Sequence, residues 1–219
     1  MKKTGFGKEV IRIDRNFYGL PHTEILFPDL DENTQRITHE VIVDALFEYF
    51  ENQPIKKLLC ATYGNCRAKF DSLGVKVGLK LDSSQKLVVS NALYNEINPA
   101  GRTLSAVQSN QVSHAVLVDA VQVMKQKSIN SFEIKVKMLP GGARNIARWP
   151  VIDKEYLKVP TVCLGAATNV KISPKTPIDK GLVQCGEIGA PDTLVPENID
   201  KHLDFCSKVI AKSVSELVR

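Results

Sequence analysis

The sequence predicts an α/β (or α+β) fold, a central mixed β-sheet flanked by helices, forming one domain over residues 1–219. Three observations predict it. A helical pattern stands near each end of the chain, several strand-like runs lie between them, and the composition is 43% hydrophobic and 24% charged, enough apolar material for a core.

The elements follow in chain order. "KEVIRI" (8–13) and "TEILF" (23–27) read as short strands around the "YGLP" turn at 18–21. "LDENTQRITHEVIVDALFEYFENQP" reads as a helix. Asp31 or Asn33 offers an N-cap, Ile37, Val41, Leu46 and Phe50 recur on one side, and Pro54 stops it. "KKLLCAT" (56–62) is a buried strand ending in "YGN". "GVKVGLKLD" (74–82) and "KLVVSNALY" (86–94), separated by "SSQ", read as a hairpin, and "INPAGR" (97–102) as a loop.

Residues 103–127 admit two readings. One is a single long helix, suggested by Ala, Gln and Met. The other is a helix ending near Ser113 followed by a strand, suggested by valine at 116, 118, 121 and 123. After the turn-like "SINS", "FEIKVKML" reads as a strand bounded by Pro140-Gly141-Gly142, and "ARNIARW" as the start of a short helix. "VPTVCLGAATNVKI" (159–172) supplies a strand or strand pair, and Pro/Gly-rich connections fill 173–196. A closing helix has Pro196 in its first turn and a stripe of Ile199, Leu203, Cys206, Ile210, Val214 and Leu217.

Composition narrows the function classes. The longest apolar runs, such as "AVLV" at 115–118, fall far short of the roughly 20 residues of a membrane span. The N-terminus has two lysines but no apolar signal core, so a cytoplasmic protein is expected. Five cysteines (60, 66, 163, 185, 206) without a CxxC pair argue against a disulfide framework or a structural zinc site. His22, His39, His114 and His202 show no HxH, HxxxH or HExxH spacing, and no turn matches GxGxxG or GxxxxGK[ST]. A net charge of +5 favours a polyanionic partner.

If 115–123 is a strand, Asp119 lies on it and Glu133 with Lys135 lies on the next, joined by "KQKSINS". This D-x13-E-x-K arrangement, over residues 114–138, resembles the PD-(D/E)XK nuclease superfamily, the restriction-endonuclease-like group. Val118 stands where that family often has a proline. The resemblance implies two carboxylates, Asp119 and Glu133, on a β-hairpin holding Mg²⁺. The ion would polarise a scissile phosphate. Lys135, two residues past Glu133 on the same strand face, would orient or deprotonate the attacking water. It further implies double-stranded DNA as partner and a homodimer for a palindromic cut.

Between 125 and 158 eight basic side chains face three acidic ones, which suits a phosphodiester. Lys137, Arg144 and Arg148 are the candidate backbone contacts. The plain alternative is that Glu133, Lys135 and Lys137 form the wet face of an edge strand, with Phe132, Ile134 and Val136 inside.

Two rivals stand beside the nuclease. "LLCATYGNCR" places Cys60 in a strand and Cys66 in the turn after it, either a candidate thiolate nucleophile of a small-molecule α/β enzyme. His202 is its conceivable base, on one helix face with Asn198 and Cys206. The other rival is a non-catalytic nucleic-acid-binding domain, with salt-sensitive DNA binding and no turnover.

Overall fold

A computed structural model describes residues 9–17, 19–65, 68–93, 98–138, 150–173, 176–186 and 192–219. The predicted mixed sheet with flanking helices is present. Its main path runs β1 (Ile11–Phe17), β2 (Leu20–Leu26), β6 (Ser131–Lys135), β9 (Thr161–Lys171), β5 (His114–Val123), β3 (Leu58–Gly64), β4 (Leu87–Leu93). Strands β4, β3, β5 and β9 are mutually parallel, whereas β6 is antiparallel to both β9 and β2. Short β11 (Thr193–Pro196) joins the far end of β9 and carries β10 (Leu182–Gln184).

Alternation along the strands sorts the core into two layers. Leu58, Cys60, Val116, Val118, Phe132, Ile134 and Leu164 pack on one face, beneath α1 (Glu32–Tyr49), α2 (Leu73–Gly78) and α5 (Ile199–Glu216). Leu59, Ala61, Tyr63, Ala115 and Leu117 pack on the other, beneath α3 (Pro99–Asn110) and α4 (Lys154–Leu157). This second layer stops short of β6 and β2, which present Ser131, Glu133 and Lys135, and His22 and Glu24 between Leu20 and Leu26, on that face.

Helix α1 begins as its sequence requires: Asp31 accepts the Thr34 N–H at 2.7 Å, satisfying one orphan donor of the first turn. Helix α5 is capped by Asn198, while Pro196, expected in its first turn, ends β11 instead.

Three further local expectations are corrected. "GVKVGLKLD" is no hairpin arm: Leu73–Gly78 is helical, and β4 pairs in parallel with β3. Leu73, Val77 and Leu81 recur at i, i+4 and i+8 and are buried, so the Val-Lys-Val alternation masks a helical stripe. A Cβ on Gly74 would lie 1.9 Å from the Tyr63 carbonyl oxygen, so only glycine lets α2 enter that close to β3.

"INPAGR" starts a helix rather than forming a loop. Asn98 caps it, accepting the Gly101 N–H at 2.8 Å, and Pro99 takes the first position, where its missing N–H costs nothing. The 173–196 region holds β10 and β11 besides its turns. Of the two readings of 103–127, the structure has the helix-then-strand one. The "PGGAR" turn and "ARNIARW" lie outside the described residues.

The pairing of β5 and β6 is the consequential correction. They are not hairpin partners, because β9, arriving later in the chain, lies between them and pairs with both. Glu133 is therefore on an interior strand, not an edge.

Candidate functional site

Position along the sheet determines which side chains meet. Residues directly opposite one another in paired strands share a face. Asp119 and Glu133 are both register partners of Gly165, and Glu24 follows beyond Glu133. The next row holds Leu117, Cys163, Lys135, His22 and Arg15. Both rows project from the face that α3 and α4 leave partly open. Between them lies a cleft of about 550 Å³, lined among others by His22, Asp119, Glu133, Lys135, Cys163 and Gly165.

Glu133 carries the strongest electrostatics of the cleft. Its side chain is only 13% exposed; the Lys135 ammonium contacts it directly, and His22 Nε2 lies 3.7 Å from Oε2. Burial opposes the ionised carboxylate, but the neighbouring His22 ring and the adjacent Lys135 charge outweigh it and hold the acid below its ordinary value. Asp119, half-buried on the opposite wall, accepts the Ala120 N–H through Oδ1 at 2.8 Å. A Cβ on Gly165 would meet Val121 Cγ2 at 2.3 Å, so the missing side chain admits Val121 and gives an apolar floor between the two acids.

The sheet order overturns the nuclease reading. That reading required Asp119 and Glu133 on adjacent strands of one hairpin; here they stand two strand spacings apart, roughly 10 Å between Cα atoms. Glu133 also commits its charge to Lys135 and His22, and among the described residues no three His, Cys, Asp or Glu side chains gather as a metal site. Asp119 and Glu133 thus do not fit the shared-ion geometry from which Mg²⁺, DNA and the dimer were expected. The endonuclease assignment and the superfamily resemblance are withdrawn.

The basic zone divides as well. Lys135 and Lys137 line the cleft, Lys137 with Lys154 and Lys158 an adjoining groove, and Lys125 and Lys127 a third pocket. Arg144 and Arg148 lie outside the described residues.

The cysteine candidates separate by burial. Cys60 is fully enclosed under α1 and α5, and burial pushes its thiol up to about 12, so it is no thiolate at neutral pH. Cys66 lies outside the described residues. His202 bonds through Nε2 to the Ala167 carbonyl oxygen at 2.8 Å with Cys206 3.7 Å away, and burial pushes the Cys206 thiol up too. That pair belongs to the core beneath α5. Cys163 does line the cleft, but burial raises its thiol, against the opposing Lys135 charge.

Of the residues singled out in the sequence, Asp119, Glu133, Lys135 and Lys137 line the cleft, and His22, Cys163 and Gly165, not named there as its members, line it too. Two signals were available: His22 and Glu24 sit on one strand face in "PHTE", and Gly165 stands within the strand-like run "TVCLGAA".

No protein-family model matches this chain, and no curated protein matches it. Among solved structures it is similar to the crystal structure of a [NiFe] hydrogenase maturation protease, HycI, from Thermococcus kodakarensis KOD1. The two share 15% sequence identity at a TM-score of 0.47, over 80% of this chain and 99% of that one. At 15% identity that neighbour transfers no residue's role to this chain. No helix among the described residues is long and apolar enough to cross a membrane.

Proposed function

We propose that this chain is an α/β hydrolase of small amide- or ester-bonded substrates, acting in the cleft above Gly165. One observation carries the reading: two carboxylates, Asp119 and Glu133, oppose each other across an apolar floor, and one of them holds a lysine in place. Asp119 serves as general base toward the attacking water. Lys135, oriented by Glu133 and flanked by His22, stabilises the negative oxygen that develops at the carbonyl. Lys137, exposed at the rim, takes an anionic group of the substrate.

The test is turnover of a panel of p-nitroanilide peptides and 4-methylumbelliferyl esters. Asp119→Asn is expected to lower kcat by about 10²-fold or more with the fold intact by circular dichroism. Full activity in that variant dismisses the assignment.

A second reading keeps a cysteine nucleophile at Cys66. Strand β3 pairs with β4 on one side and β5 on the other, and their connections, α2 and α3, lie on opposite faces. The carboxyl end of β3 is therefore a topological switch point, the place where open α/β sheets receive ligands. Cys66 follows Gly64 there in sequence. Rapid iodoacetamide labelling of Cys66 with parallel loss of turnover would replace Asp119 by this thiol.

A further inference from the structure

Beyond the cleft, where β5 and β9 run out, a second concavity of about 600 Å³ opens between the 3-10 turn Gln126–Ser128 and the connection after β9. Among its described lining residues, Lys125, Lys127 and Lys171, all exposed, stand against one acid, Asp179. Met124, among its lining residues, is 74% exposed.

The concavity is held in shape. The Gln126 side-chain amide donates to the Pro177 carbonyl oxygen at 2.6 Å, and its Oε1 accepts the Asp179 N–H at 2.7 Å, tying the two walls together.

We infer that this is a docking site for an acidic peptide segment of a partner protein carrying an aliphatic side chain. Three lysines supply complementary charge. Met124 supplies an adaptable thioether surface of the kind used to receive varied aliphatic groups. A single-stranded nucleic acid would want aromatic platforms for its bases, and no Phe, Tyr or Trp is among the described residues that line the concavity. None of these residues belongs to the cleft above Gly165, so the site stands whether or not that cleft is catalytic.

The probe is a fluorescein-labelled peptide of alternating Glu and Leu, read by fluorescence anisotropy on the whole protein. Binding should weaken by about tenfold or more in K125E/K127E/K171E, where attraction becomes repulsion. It should weaken several-fold in Met124→Ser, and likewise for a peptide with Ser in place of Leu. Unchanged binding in the charge-reversed variant overturns the site. So does absence of binding at peptide concentrations of about 1 mM, or equal or tighter binding of a DNA oligonucleotide of the same charge.

Discussion

Along β3 all seven residues are buried, whereas along β6 burial alternates, Phe132 and Ile134 fully enclosed and Glu133 and Lys135 partly open. The difference follows from what covers each strand. Helices pack over both faces of β3, so it reads as a continuous apolar run, as parallel interior strands do. One face of β6 packs under α1 and α5, and the other looks into the cleft. The polar side chains sit where the second helical layer ends. Stability is therefore concentrated in the parallel block and chemistry at its border.

The comparison breaks most visibly at Leu117. It is fully buried and shares its register row with Cys163 and Lys135. Leu117→Ala should cost about 2–5 kcal/mol in chemical denaturation. A loss below about 1 kcal/mol would mean that the parallel block is not the rigid half.

A smaller effect is expected from Lys135→Met, which leaves Glu133 with His22 alone. Lys135 is 42% exposed and solvent screens the pair, so the loss at neutral pH is about 1 kcal/mol. Its pH dependence is the sharper readout. Glu133 has a folded-state pKa below its unfolded value, so it adds stability above the unfolded pKa and loses it as pH falls through the folded one. Removing Lys135 raises the folded value and moves acid unfolding to higher pH. An unchanged acid limb would show that Lys135 does not govern Glu133.

Legibility in the sequence followed the range of the interactions. Helix α1 could be read from its cap and stripe because both are local to residues 31–50. Helix α2 could not: Val75 and Val77 alternate with lysine and glycine, and the close approach of Gly74 to Tyr63 that fits the helix there is a tertiary contact. The strands β5 and β6 were readable one by one, their separation was not. Neighbouring strands in sequence usually pair, and only β9, some 30 residues further on, shows that these do not. Asp119, Glu133 and Lys135 thus line one cleft, but not from the paired hairpin strands that the sequence suggested. His22 went unnoticed because β2 reaches Lys135 only through that same strand order.

The most direct test is a map of backbone amide shifts as a slowly hydrolysed peptide amide is titrated into ¹⁵N-labelled protein. The largest changes are expected at Ala120, Glu133, Cys163 and Gly165, which border the cleft. Changes confined to other surfaces, with those four amides unmoved at saturation, would contradict a site built from Asp119 and Glu133 across Gly165.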